Sequence, residues 1–238
     1  MNEAPLVTVI VTNHLSENRP YLDLCLKALH EQVGISFEAI VLSDAETCPD
    51  VPSEFTLVHN RDLNTATKKV HFGISMSDPR SRYFLLLSDD VVLHKDCLRS
   101  LVQGILGHDA ICNPMSNSDN GTRFLTLSHP GPDLDLADYV ECEPCSQSLL
   151  VPQDWLSFYC TLIPRAVWER VGMLDEALEV RGNDVDYCTR AAKVGVGRFI
   201  NFGAFAFHFG SKTLRKTVTP EMYAEADQSM AKKYGDGR

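Results

Sequence analysis

The chain has 238 residues, 44% hydrophobic and 23% charged, a composition typical of a globular protein that buries one sizeable core. Its formal net charge of −10 argues against nucleic acid as the main partner, because proteins that bind phosphate backbones usually carry a basic surface. A small anionic ligand stays compatible with this charge, since a bound metal ion neutralises phosphates locally. We identify no apolar run long enough to span a bilayer and no signal peptide.

Eight cysteines are scattered along the chain, and without a secretory signal we expect them to be reduced thiols of a cytoplasmic protein. One CxxC pair, Cys142 and Cys145, stands in an acidic stretch that contains proline rather than between a strand and a helix. A zinc site would need a second ligand pair at similar spacing, which the sequence lacks. We therefore interpret the pair as loop thiols rather than as a redox or zinc site.

The first ninety residues alternate between predicted strands and predicted helices. Apolar and β-branched runs predict strands at residues 6–12, 37–42, 55–59 and 82–87. Apolar residues at helical spacing predict helices at 21–32 and 65–76. This alternation predicts an α/β fold with an open, mainly parallel, Rossmann-like sheet flanked by helices. In such sheets ligands bind beyond the carboxyl ends of the strands.

The second half of the chain begins with a stretch rich in Pro, Asp, Ser and Gly, from about Asn113 to Leu156, which we interpret as a long excursion over the site. Periodicity then returns, and it predicts a strand at 158–163, helices at 164–172 and 184–194, a strand at 198–207 and an amphipathic helix at 220–234. We expect a single domain over residues 1–213, with a nucleotide-binding half (1–112) and an acceptor half (113–213). A C-terminal helical tail (214–238) follows it.

Asp89 and Asp90 lie between two apolar runs, at the end of a strand that is predicted to be buried. Buried carboxylates are costly unless they are paired or bind a cation, and a hard divalent metal prefers oxygen ligands. The alternative is that the two acids only form a turn, where aspartate is common.

Two further segments carry candidate residues. Asp184 and Asp186 open a predicted helix, where they either stabilise the helix N-terminus or provide a general base. His208 follows a strand among aromatic residues, where it is either packed in the core or a metal ligand.

The order and spacing of these segments resemble the family-2 nucleotide-sugar glycosyltransferases of GT-A fold. The resemblance covers Leu6 to about Thr213, and it implies that Thr12 and Asn13, at the end of the first strand, contact the nucleotide. It further implies that Asp44 holds the base, and that Ser88, Asp89 and Asp90 correspond to the DxD metal motif. The late His-x-Gly-Ser element of the family resembles the segment from His208 to Ser211, which implies that His208 is a second contact to the metal or diphosphate. The segment around Lys68 is a weaker match, and Lys68 and Lys69 either reach the donor phosphates or face solvent, with solvent favoured. Asp184 inherits the role of the catalytic base.

The resemblance therefore implies an inverting, Mn²⁺- or Mg²⁺-dependent glycosyltransferase. It would move a sugar from a UDP-, dTDP- or GDP-sugar to a hydroxyl of a glycan or related acceptor. Two departures stand at sites of interest: Ser88 replaces the first acid of the metal motif, and Asn183 replaces a glutamate before Asp184. They keep open a binding module without catalysis. A metal-dependent sugar nucleotidyltransferase is a further alternative, although the segment after the first strand lacks the glycine-rich phosphate loop that such an enzyme would usually have.

Overall fold

The computed structural model describes residues 4–117, 134–141, 143–144, 148–178, 180–210 and 212–235. The strands in these residues are β1 (Val7–Asn13), β2 (Phe37–Ser43), β3 (Thr56–His59), β4 (Tyr83–Ser88), β5 (Val91–Leu93), β6 (Ala110–Ser116), β7 (Leu150–Pro152), β8 (Cys160–Pro164) and β9 (Gly197–His208). The helices are α1 (Arg19–His30), α2 (Ala66–Met76), α3 (Cys97–Gly104), α4 (Arg165–Val171), α5 (Asn183–Lys193), α6 (Leu214–Thr217) and α7 (Pro220–Tyr234).

All nine strands belong to one sheet, in the order β3-β2-β1-β4-β8-β6-β9-β5, with β7 paired to β9. The pairings of β3, β2, β1 and β4 are parallel. Strand β6 runs in the same direction as β4, because β8 stands antiparallel between them, and β9 pairs parallel with β6. The strands β5 and β7 pair antiparallel with β9. The predicted α/β fold with a mainly parallel sheet is therefore confirmed.

Strand β1 lies at the centre of the parallel part of the sheet and is buried on both faces. Val9 and Val11 pack with α1 and α3 on one face, and Ile10 packs with α2, α4 and α5 on the other. Successive side chains of a strand point to opposite faces, so a continuous β-branched run fits a sheet that helices cover on both sides. The two hydrophobic layers fix the sheet, and its carboxyl edge presents the polar residues.

Several elements in residues 91–156 differ from the sequence-based predictions. Strand β6 was not predicted; it extends from Ala110 to Ser116 with Asn113 and Pro114 inside it, so the excursion begins later than predicted. The pattern also missed β5 and β7, which have three residues each, and the eight-residue helix α3. Short elements contain too few residues to show a period, and β5 and β7 form here because each of them pairs with β9.

The described residues contain no helix that is long and apolar enough to cross a membrane. Six cysteines fall within these residues, and all six are free thiols, five of them buried. Cys142 and Cys145 lie outside the described residues.

Candidate functional site

The carboxyl ends of three neighbouring strands form one polar edge. Asn13 at the end of β1 pairs in register with Ser43 at the end of β2, and Thr12 pairs with Ser88 at the end of β4. Thr12 and Ser88 are partly exposed, whereas Asn13 and Ser43 are buried. Parallel strands therefore bring residues from distant parts of the sequence to the same edge, where ligands of such sheets bind.

Asp89 is buried in a network of hydrogen bonds from the first strand. Asn13 Nδ2 donates to Asp89 Oδ2 at 2.7 Å, and Asn13 Oδ1 accepts from Ser43 Oγ at 2.6 Å. Asn18 also donates to the Asp89 carboxylate. Burial raises the pKa of Asp89 above its usual range, and the negative charge of Asp90 adds a smaller effect in the same direction. Two adjacent buried carboxylates thus carry more negative charge than the surrounding donors offset, and a cation would relieve it.

Asp90 is buried beside His208, although 118 residues separate them in the chain. Asp90 Oδ1 lies 3.4 Å from His208 Nε2, and Asp90 Oδ2 accepts from the Lys212 backbone N–H at 3.0 Å. Burial alone would raise the pKa of Asp90, but His208 and the Lys212 amide outweigh it and hold this pKa below its usual value. The Asp90 carboxylate is therefore kept ionised at the mouth of the sheet.

Three features fix the position of His208. Its ring stacks on Tyr159 at a centroid distance of 4.7 Å with an interplanar angle of 10°. The backbone N–H of His208 donates to Asn117 Oδ1 at 2.7 Å, and its carbonyl accepts from Asn117 Nδ2 at 3.1 Å. Pairing with Val91 of β5 places His208 beside the acidic pair.

Asp90 and His208 fit a metal ion that binds together with a phosphate. Within the described ranges, no group of three or more His, Cys, Asp or Glu side chains could hold a metal. Mg²⁺ in phosphate-transfer sites is typically held by one or two carboxylates, with substrate phosphates and water as the other ligands. The pair therefore suits a site that a bound diphosphate completes, and it does not form a metal cage of its own.

Asp44 follows β2 and is buried with two basic side chains around its carboxylate. Lys69 Nζ lies 2.6 Å from Asp44 Oδ1, and His14 Nδ1 lies 2.8 Å from Oδ2. Burial lowers the pKa of Lys69, and the Asp44 carboxylate partly opposes this effect. Asp44 is thus held rigidly at the edge of the sheet, with Lys69 and His14 in contact with its carboxylate oxygens.

The two lysines of α2 differ from what the sequence indicated. The sequence left two alternatives for Lys68 and Lys69, contact with the donor phosphates or exposure to solvent, and solvent was favoured. Instead Lys69 is buried at 2% exposure, while Lys68 is partly exposed and donates to Asn64 Oδ1 at 2.8 Å. Lys69 lies one turn before the buried Gly73 on the same helix face, so helical spacing alone could have placed it inside.

Asp184 lies partly buried in the first turn of α5, where its Oδ1 accepts from the Val185 backbone N–H at 2.8 Å. Burial raises the pKa of Asp184. The neighbouring Asn183 donates to Thr67 Oγ1 at 3.3 Å, which connects the start of α5 to the start of α2. Gly182 is the N-cap, so Asp184 does not cap the helix.

Asp186 differs from Asp184 because both of its carboxylate oxygens form ion pairs. It is buried, and it contacts Arg190 Nη2 at 2.8 Å and Lys233 Nζ at 2.6 Å. Burial alone would raise the pKa of Asp186, but bonds from Lys233, Tyr234 and Arg190 outweigh it and lower this pKa. Of the two acids, Asp184 is the one whose pKa is raised, and it forms no ion pair within the part of the chain that the structure describes.

Two aromatic residues that lie immediately before β8 pack against other rings. Tyr159 is buried against His208, and Phe158 packs against the Tyr187 ring at 5.6 Å. Ser211 lies outside the described residues.

Sequence reasoning missed four residues that organise this site: His14, Asn18, Asn117 and Lys212. Each is a polar residue in an irregular segment, and a partner far away in the sequence defines its role. No local pattern identifies such residues.

Solved structures of nucleotide-sugar glycosyltransferases share this fold. GalNAc-T7 with UDP, GalNAc and Mn²⁺ superposes with a TM-score of 0.63 at 10% identity, over 87% of this chain and 44% of that chain. S. aureus TarS 1–349 in complex with UDP-GlcNAc superposes with a TM-score of 0.60 at 14% identity, over 92% of this chain and 64% of that chain. The chain has the GT-A fold.

The chain spans about two fifths to two thirds of the length of these structural relatives. No family model and no curated protein sequence matches it.

Proposed function

We propose that this protein is an inverting glycosyltransferase that moves a sugar from a nucleoside-diphosphate sugar to a hydroxyl of a glycan or related acceptor. One observation carries the proposal: the fold brings Asp44, Asp89, Asp90 and His208 to one edge of a GT-A sheet. Solved proteins with this fold have been crystallised with UDP, Mn²⁺ or UDP-GlcNAc. A UDP-, dTDP- or GDP-sugar is the corresponding donor class.

The nucleotide is expected to lie along the ends of β1 and β2. Asp44 accepts hydrogen bonds from the base, and Lys69 and His14 hold its carboxylate in place. Thr12 and Asn13 contact the nucleoside at the end of β1, while Ser88 and Asp89 line the next position along the edge. Lys68 lies in the first turn of α2 and is partly exposed, and we propose that it contacts the donor phosphates.

Asp90 and His208 would hold Mn²⁺ or Mg²⁺ at the diphosphate. When bound, the ion stabilises the negative charge that develops on the leaving nucleoside diphosphate. Asp90 is suited to this role because the Lys212 amide and His208 keep it ionised. His208 is suited because Tyr159 and Asn117 fix its ring and backbone.

Asp184 is the proposed base. It accepts the proton of the acceptor hydroxyl while that oxygen bonds to the anomeric carbon and the bond from this carbon to the diphosphate oxygen breaks. The electron pair of the broken bond leaves with the nucleoside diphosphate. Because burial raises the pKa of Asp184, transfer should decline as the pH falls through a value above that of a free aspartate.

The first test is the substitution Asp184→Asn, which keeps the size of the side chain and removes its basicity. We expect unchanged donor affinity by calorimetry and a transfer rate lower by a factor of about 10² to 10⁴, the range for loss of a general base. The measurements are glycosylated product and released nucleoside diphosphate, over a panel of donors and acceptors with Mn²⁺.

Three results would contradict parts of this proposal. Transfer by Asp184→Asn at the wild-type rate would reject the base. Donor binding by the wild-type protein without turnover of any donor would favour a binding module, the alternative that Asn183 and Ser88 keep open. Formation of a nucleotide sugar from a sugar phosphate would instead identify a nucleotidyltransferase.

A further inference from the structure

The helix α7 contacts residues at the start of α5, both before and after Asp184 in the sequence. The residues of α7 that make these contacts recur every three or four positions, so they share one face of the helix. These residues are Tyr223, Asp227, Met230, Lys233 and Tyr234.

Before Asp184, the contacts involve Arg181 and Gly182. Arg181 Nη2 lies 3.0 Å from Asp227 Oδ1, and its guanidinium lies 5.6 Å from the centre of the Tyr223 ring. Gly182 has φ +91°, and a Cβ at this position would lie 2.8 Å from Met230 Cγ. The methionine therefore packs directly on the backbone turn that begins α5, at a distance that only glycine allows.

After Asp184, the contacts converge on the buried carboxylate of Asp186. Lys233 Nζ lies 2.6 Å from Asp186 Oδ1 and 2.5 Å from Asp175 Oδ2, so one ammonium joins two segments. The hydroxyl of Tyr234 also donates to Asp186. Asp186 is fully buried, so displacement of α7 would leave its desolvated carboxylate with Arg190 as the ion-pair partner that does not belong to α7.

We propose that α7 is a clamp that positions Asp184 for proton transfer, with Lys233 and Met230 as positioning residues that act through Asp186 and Gly182. This inference rests on the proposed function of Asp184 as the base. The Asp184 carboxylate accepts a hydrogen bond from Val185 in its own helix, so the placement of that helix sets where the carboxylate lies. A misplacement of about 1 Å costs up to about 100-fold in rate, because proton transfer needs hydrogen-bond contact.

The test compares Lys233→Met with Lys232→Met in the full-length chain. Both changes remove one ammonium and keep the apolar stem, but Lys232 is exposed on α7, whereas Lys233 joins Asp175 and Asp186. We expect Lys233→Met to lower kcat at least about tenfold with the donor KM unchanged, and Lys232→Met to match the wild type. In parallel, hydrogen exchange of residues 180–188 should accelerate in Lys233→Met alone.

A purely structural role for α7 predicts a different result: Lys233→Met would have a lower melting temperature and an unchanged kcat below that temperature, which would overturn the proposal. Met230→Ala provides a second variant that removes no charge, and it should show the same loss of kcat. If the wild-type protein turns over no donor, the proposed function is wrong. Hydrogen exchange then remains as the test of whether α7 holds the start of α5 in place. Unchanged exchange at 180–188 in Lys233→Met would reject the clamp.

Discussion

At the scale of single residues, the buried pair of Lys69 and Asp44 fixes the position of the acid that we propose to bind the base. Taking both charges out of water costs several kcal/mol per ion, and the contact at 2.6 Å offsets this cost only while both partners are present. His14 adds a further partner, which keeps the Asp44 oxygens oriented. The sequence indicated Asp44 as a site residue through its place after a strand. It could not reveal the lysine partner, because that contact depends on how α2 packs against β1 and β2.

Substitution of Lys69 by methionine should destabilise the protein by about 3 kcal/mol, because it leaves a buried carboxylate with His14 as its remaining basic partner. Lys68→Met is the matched control, since Lys68 makes one exposed hydrogen bond with Asn64 and its loss should cost less than about 1 kcal/mol. Urea unfolding measures both values. Equal stability of the two variants would mean that the ion pair contributes little.

At the scale of secondary-structure elements, the ends of the predicted segments lie within two residues of the observed ends. The predicted helix 220–234 matches α7, and the predicted strand 37–42 matches β2 except for Ser43. A helix or strand that is buried on one face or on both has apolar residues at regular spacing, and this spacing is visible in the sequence. The sequence could not predict which element α7 packs against. The pattern of a helix gives the width of its buried face but not the element that covers this face, and Lys233 is separated from Asp186 by almost fifty residues.

The acid stability of the α7 contact follows from the lowered pKa of Asp186. A carboxylate whose pKa is lower in the folded state adds stability above its unfolded pKa of about 3.9 and loses that contribution as the pH falls through the folded value. We expect Asp186→Asn to cost about 2 kcal/mol at neutral pH. This difference from the wild type should shrink below about pH 4.

Unfolding free energies at pH 7, 5, 4 and 3 measure this dependence. The exposed Glu225 on α7 provides the control variant, Glu225→Gln, which should stay within about 0.5 kcal/mol of the wild type. A gap between Asp186→Asn and the wild type that is constant down to pH 3 would show that Asp186 does not carry the effect.

At the scale of the whole molecule, the sheet joins the two predicted halves of the chain. Strand β5, at residues 91–93, pairs with β9, and β8 separates β4 from β6. The fold class followed from the alternation of strands and helices in the first ninety residues. The convergence of Asp90 and His208 did not follow from either segment alone, and the resemblance to a known family supplied it. Local periodicity carries no information on which strand ends become neighbours, so the strand predicted at 158–163 could not be placed antiparallel between β4 and β6.

A metal site that a diphosphate completes predicts that UDP and Mn²⁺ stabilise the protein together. At about 100 times the dissociation constant, the added stability is about 2.7 kcal/mol, or about 5 to 10 °C in melting temperature for a chain of this size. Each ligand alone, or UDP with a chelator, should give a much smaller shift in a thermal melt. His208→Ala should reduce the shift from the combination, and an equal shift with chelator present would reject the metal site.

The bond between Asp90 and the Lys212 amide spans 122 residues of chain. During synthesis on the ribosome, the strand that ends in two aspartates is therefore complete long before its histidine and its amide donor emerge. Contacts this distant in sequence form late in folding, after the entropy of closing the intervening loop has been overcome. A nascent chain that ends before His208 would leave the Asp90 carboxylate without these two partners, so the proposed metal site is complete only after both have emerged.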